Sequence, residues 1–178
     1  FLLLQPNIDV NWHTESKHTP LWIAASKNSI ESVELLLRHP NIDINKPRRR
    51  NTPTIAIAAK RNNYKIVEML LKYKKPKSST YIDFFADTDA VPDNNHVNQA
   101  PDAVFCRSLE INRYLGNGQT ALYYALTGGH FRCAELLLSH PKINVNKSVN
   151  GCTPLHAAVR AGHAKSVDLL VKMHTDTL

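Results

Sequence analysis

Apolar positions along this chain fall in short clusters of two kinds, and both kinds recur. One kind ends in leucines: Val33-Glu34-Leu35-Leu36-Leu37, Val67-Glu68-Met69-Leu70-Leu71, Ala134-Glu135-Leu136-Leu137-Leu138 and Val167-Asp168-Leu169-Leu170-Val171. Apolar residues at i, i+3 and i+4 predict a short amphipathic helix at each. The other kind lies upstream of each copy, at residues 19–25, 53–59, 120–126 and 153–159. In the last of these, Thr153 can cap a helix and Pro154 suits its first position, where a missing N–H costs nothing. Leu155, Ala158 and Val159 are expected to form its apolar face, and Gly162 to stop it after roughly two turns. A helix of that length is not stable alone in water and needs neighbours built the same way. A third segment follows: residues 7–11, 41–45 and 142–146 alternate apolar and polar and end in Asn, as an extended stretch entering a turn does.

Spacing turns these clusters into an architecture. Val33 to Val67 is 34 residues and Ala134 to Val167 is 33, so the chain is built of repeats. Each unit reads turn, short helix, short helix, extended finger. With Thr153-Pro154-Leu155-His156, the Gly162-His163 break, the leucine runs and the Val145-Asn146 finger, the chain resembles the ankyrin-repeat family. That resemblance implies an all-α repeat solenoid of helix-turn-helix units with β-turn fingers, an L-shaped stack whose concave face is made of fingers and first helices, and a role in binding other proteins. The expected organisation is one domain over 1–178. It holds a partial repeat at 1–12 and repeats at 13–46, 47–112, 113–147 and 148–178, the second interrupted at about 72–110. Leu2-Leu3-Leu4 reads as the tail of an earlier copy. With no initial Met, the chain reads as an excerpt of a longer protein.

Two departures from the repeat carry information. Thr52-Pro53 sits one residue early, so the first helix of that repeat should start differently. Trp22, Ala56 and Tyr123 stand where the family places His, so Thr–His bonding is expected only around His156. The second departure is larger. Leu71 lies 41 residues before Asn112, whereas Leu37 lies 8 before Asn45, an insertion of 33 residues. Residues 79–86 and 103–111 are rich in aromatic and β-branched types. Between them residues 87–102 are full of Pro, Asn and Asp. We read a β-hairpin with a mobile tip, against a decayed repeat or a disordered loop as alternatives.

Charge sharpens the contrast. From Ser78 to Cys106 there is no Lys or Arg and five Asp; +7 for the chain against −5 for this stretch leaves +12 elsewhere. Arg48, Arg49, Arg50, Lys60 and Arg61 fall in one repeat, and Lys27, Arg113, Lys147 and Arg160 at similar places in others. By the ankyrin resemblance these line the concave face and suit an acidic protein surface; the alternative is ordinary solvated charge. Aromatic anchors are Trp12, Tyr114 and Tyr124, with Phe84 and Phe85 on the insertion. Cys152 and Arg160 complete the candidate partner-binding set. For Tyr124 and Trp22 the alternative is packing between repeats.

Other chemistry finds little support. No stretch reaches the ~18 apolar residues of a membrane span. Three cysteines, Cys106, Cys133 and Cys152, are too few and too scattered for a disulfide framework or a CxxC metal site, which suits a reducing intracellular compartment. Cys152 and His156 are i and i+4, but no oxyanion hole or orienting group accompanies them, so no catalytic role is expected. The histidines follow the repeat rather than a ligand spacing. Gly116-Asn117-Gly118 and Gly128-Gly129 mark turns, not a phosphate loop. The expectation is thus a monomeric, non-enzymatic protein-binding module without metal or cofactor. By resemblance in style to ankyrin proteins of intracellular bacteria, it would be the targeting arm of an effector in the host cytoplasm or nucleus. The alternatives are a domain that regulates or feeds an enzyme in the same polypeptide, and nucleic-acid binding, which ankyrin arrays seldom show.

Overall fold

The computed structural model describes residues 8–46, 52–74, 109–115, 118–148 and 150–175. Among them are eight helices and no strand: α1 (Pro20–Ser26), α2 (Ile30–Leu37), α3 (Thr54–Lys60), α4 (Tyr64–Lys72), α5 (Ala121–Thr127), α6 (Phe131–Leu138), α7 (Pro154–Arg160) and α8 (Ala164–Thr175). The all-α repeat solenoid is therefore the fold. The proposed hairpin at 79–111 falls almost wholly outside the described residues.

Local chemistry explains why odd-numbered helices are so short. Thr19 Oγ1 accepts from Trp22 N and Thr120 Oγ1 from Tyr123 N, both at 3.2 Å, satisfying one orphan donor at each start. At α7 the cap is reciprocal: His156 N donates to Thr153 Oγ1, and Thr153 N donates back to His156 Nδ1 at 3.3 Å. Thr–His bonding appears there and not at α1, α3 or α5, because those helices lack the imidazole. The displaced Thr-Pro pair has the expected effect. Helix α3 begins at Thr54 with Pro53 before it, so no side chain caps it. Thr54 is left 1% exposed with its hydroxyl unpartnered, a burden of about 1–3 kcal/mol.

Each of these helices then ends on one residue in the left-handed region: Asn28 (φ 58°), Asn62 (φ 59°), Gly129 (φ 66°) and Gly162 (φ 72°). Only Gly and Asn enter that region readily. The next amide turns back on the helix, as Ser29 N→Ala24 O (3.0 Å), Asn63 N→Ala58 O (2.9 Å), His130 N→Ala125 O (2.8 Å) and His163 N→Ala158 O (3.2 Å). This six-to-one closure is a Schellman cap.

Those same residues join the repeats. Asn63 Nδ2 donates to Ala25 O at 2.8 Å, His130 Nε2 to Lys60 O at 3.2 Å, and His163 Nε2 to Thr127 O at 3.1 Å. Each side chain bonds a neighbour's helix end, which is why α4 and α6 start without a side-chain cap. The odd helices stack in one layer (α1 on α3, α3 on α5, α5 on α7) and the even helices in another. Ala24, Ala25, Ala58, Ala59 and Ala125 keep the backbones close, and Leu21, Ile55, Leu122, Leu70 and Leu137 fill the space between layers.

Asparagine continues the joining along the fingers. Asn11 Nδ2 donates to Asn41 O (2.6 Å) and its Oδ1 accepts from Asp43 N (2.8 Å). Asn112 makes the same pair with Lys142 O (2.6 Å) and Asn144 N (2.8 Å). Asn45 Oδ1 accepts from Glu110 N at 2.9 Å, so the finger beyond the insertion returns to the register of the others. Because α3 packs directly on α5 and α4 on α6, no extra helix pair stands in the stack between them.

One expectation is corrected. The apolar face of α7 is not Leu155, Ala158 and Val159 together. Pro154, Ala157 and Ala158 are buried, while Leu155 and Val159 are 42% and 60% exposed. Helical periodicity identifies apolar positions but not which ones have a neighbour.

Candidate partner-binding surface

The candidate residues separate onto two edges of the odd-helix layer. At the finger edge, Trp12 is 72% exposed and stacks on His13 with ring centroids 6.1 Å apart. Tyr114 is also exposed. Its hydroxyl donates to Ser148 O at 3.0 Å, and Lys147 Nζ lies 4.3 Å from the ring centroid, within range of cation–π attraction. Arg113 faces inward: Nη1 donates to Asn45 O at 3.0 Å and to Glu110 Oε2 at 3.2 Å, with its side chain 19% exposed. It clamps two fingers together across the insertion.

The opposite edge is formed by the ends of the odd helices, about 10 Å away at 1.5 Å per residue. Lys27 and Arg61 follow α1 and α3 at equivalent positions, and Lys60 and Arg160 end α3 and α7. All four are exposed. Between the edges Tyr124 is half-buried on α5, and Lys60 Nζ sits 4.9 Å from its ring centroid. Tyr124 therefore both packs between repeats and supports a cation. Trp22 packs: half-buried, it stacks on His18 with centroids 3.7 Å apart. Arg48, Arg49, Arg50, Phe84 and Phe85 lie outside the described residues.

Lys147, one of several cations that the sequence offered alike, is the one that rests on the Tyr114 ring. Its only signal was its register, one repeat beyond Arg113. The structure distinguishes the two: the first cation in this pair is tied down and the second rests on an aromatic ring.

The thiols differ sharply. Cys133 is buried on α6, and burial pushes its pKa up to about 11 because desolvation disfavours the thiolate. Its Sγ donates to Asn62 Oδ1 at 3.7 Å. Cys152 is half-buried and free. Near it, His156 Nδ1 is 2.7 Å from Thr153 Oγ1, so its ring serves the α7 cap. A thiol-alkylating reagent near pH 8 should label Cys152 at least about a hundredfold faster than Cys133, since the thiolate reacts. Peptide mapping resolves the sites, and comparable rates would mean α6 opens. The sign for stability follows. The folded state holds the Cys133 proton to about 11, while the unfolded chain releases it near ~8.5. The unfolded state thus binds fewer protons above the ordinary thiol range, and stability falls as pH rises through that window.

Among the described residues no three His, Cys, Asp or Glu side chains come together as a metal site, and no helix is long and apolar enough to cross a membrane. Comparison with known proteins agrees with the geometry. No curated protein matches the chain, but the family model for ankyrin repeats (three copies) matches residues 1–80 and 90–177. With capped short helices, left-handed Asn and Gly breaks and bridged fingers repeating at that period, the chain belongs to the ankyrin-repeat family.

Proposed function

We propose that this array binds a protein with an acidic surface, through the cationic and aromatic groups between its finger edge and the ends of its odd helices. Ankyrin repeats are generic protein–protein interaction modules and are typically not catalytic. The supporting observation is the pair of lysines held over rings, Lys147 on Tyr114 and Lys60 on Tyr124. Neither has a carboxylate partner among the described residues. Rigid aromatics flanked by cations suit carboxylates set in an apolar surface. Because a stacked array holds these groups in place, little side-chain entropy is lost on association. In the sequence, Arg48, Arg49 and Arg50 add three positive charges to the same repeat array, and the acidic insertion with Phe84 and Phe85 would add to or compete for the same partner. A larger effector, with this array as its targeting arm inside a host cell, remains the broader reading.

The test uses a labelled pool of Asp- and Glu-rich peptides beside duplex DNA of similar length and charge. The peptides should bind. Combined Lys60→Glu and Lys147→Glu should weaken them about tenfold, or ~1.4 kcal/mol, with the melting temperature unchanged. Preference for DNA, with affinity falling steeply in salt, would overturn this reading in favour of nucleic acid. Unchanged peptide affinity in the double variant would remove the two lysines from it.

A further inference from the structure

Histidines of the array bond to the backbone with two opposite polarities. His130 and His163 each turn Nε2 toward a carbonyl oxygen, of Lys60 and Thr127, so those rings donate. His39 and His140 do the reverse. Asn41 N donates to His39 Nδ1 and Lys142 N to His140 Nδ1, both at 3.2 Å. A backbone N–H can only donate, so Nδ1 carries no proton in either ring, and the neutral imidazole keeps its hydrogen on Nε2. Each ring stands at the first position of a His-Pro turn that leads from an even helix into a finger. The turns are closed by Ile42 N→His39 O (3.2 Å) and Ile143 N→His140 O (3.0 Å). The residue that each ring holds is also the one gripped by the preceding finger: Asn41 O accepts from Asn11 Nδ2 and Lys142 O from Asn112 Nδ2, both at 2.6 Å. Its amide is thus fixed to a helix end and its carbonyl to the neighbouring finger, in two repeats alike.

We propose that the His39 and His140 turns are acid-operated latches on the fingers: a proton taken up by either imidazole releases the amide it holds and slackens the adjoining finger bridge. An imidazolium has hydrogen on both nitrogens and no lone pair left to accept with. Its Nδ1–H then points at the hydrogen of the Asn41 or Lys142 amide, so attraction becomes repulsion. Nearby charges do little to favour the protonated ring. His140 is half-buried, and burial followed by the Lys142 charge lowers its pKa from the ordinary 6.5. The carboxylates of the elements around it are engaged elsewhere: Glu135 on α6 with Arg132, Glu110 in the preceding finger with Arg113, and Asp168 on α8 with Lys172. Around His39, Glu34 and Arg38 oppose each other in charge along α2, Glu68 on α4 pairs with Lys72, and Asp9 and Asp43 on the two fingers accept from Asn11 N and Asn45 N. The sign is fixed by His140. The folded state gives up its proton more readily than the unfolded chain, so the latch contributes stability above the ordinary histidine value and loses it as pH falls through the lower folded value. No partner is needed for this, so it stands apart from the lysine and aromatic surface.

The test is local, because His156 accepts from Thr153 N in the α7 cap and brings its own acid dependence to global stability. Nitrogen–proton correlation spectra of the intact chain are followed from about pH 8 to about pH 5. The Asn41 and Lys142 amides should shift with the midpoints of the His39 and His140 rings, and the side-chain amides of Asn11 and Asn112 should follow them. Exchange protection of the two backbone amides, corrected for the intrinsic rate, should fall about two- to tenfold, the loss of one hydrogen bond. His39→Asn and His140→Asn separate the latch from the turn. An Asn side chain at that position also accepts from the amide two residues on, but it does not titrate. Each variant should keep the neutral-pH spectrum of its finger and lose the acid response there alone, while the other finger still responds. Amides that stay put while both rings titrate overturn the proposal. So does a response that persists in the Asn variants, or rings that remain neutral until the chain unfolds.

Discussion

Leu122→Ala should lower the free energy of unfolding by about 2–5 kcal/mol, whereas Leu155→Ala should cost less than about half as much. The two leucines occupy the same position in successive repeats. Leu122 is 1% exposed between α3 and α7, and Leu155 is 42% exposed. Truncating the first removes buried methyl groups and leaves a cavity that a close-packed layer of alanines and branched residues cannot collapse. Truncating the second removes groups that already touch water on one side. Urea denaturation at low chain concentration measures both, with the midpoint shifting while the slope stays the same. Equal losses would mean that α7 is covered in the dilute chain, by some part of that chain itself. An unusually small loss at Leu122 would mean that the α5 layer is looser than its burial indicates.

Asn45→Ala should cost about 1–3 kcal/mol, while Asn146→Ala should be nearly neutral. Asn45 is 8% exposed, and its side-chain oxygen accepts from Glu110 N across the insertion. Without that oxygen, a partly buried amide loses its acceptor, and leaving such a group unmade costs more than a typical bond contributes. The backbone carbonyl of Asn45 also holds Arg113, so a displaced turn would loosen that clamp too. Asn146 is exposed in the last finger. Hydrogen exchange gives a local reading: in Asn45→Ala the Glu110 amide should exchange at least about tenfold faster, if its protection falls by ~1.4 kcal/mol or more. Protection retained at Glu110 would show that backbone contacts alone hold the finger in register.

Much of the scaffold was legible because it is local chemistry. A threonine that caps, an Asn or Gly that can turn left-handed, and leucines three and four apart all act within a few residues, so their recurrence at 33 and 34 residues is visible in the chain itself. Even the absence of Thr–His bonding outside α7 and the shifted start of α3 could be read that way. The candidate surface was less legible. Arg113 and Lys147 look alike as cations following finger asparagines. One is drawn in by a carbonyl and a carboxylate brought from other parts of the chain, Asn45 and Glu110, and the other rests on Tyr114. Tyr124 was offered either packing or partner binding; it is half-buried between repeats, with Lys60 Nζ 4.9 Å from its ring centroid.

The sequence by itself determined the repeat, the helices within it and their caps, because those depend on neighbours along the chain. It also located the insertion and its contrasting charge. Only the tertiary structure decided that α3 stacks directly on α5, that Asn45 bridges to Glu110, that Arg113 is a clamp, and that Leu155 and Val159 face open space while Leu122 and Leu126 do not. The physical reason is common to all four. Burial and hydrogen bonding between repeats depend on what stands alongside, and identical local patterns have different neighbours in the middle of an array and at its ends.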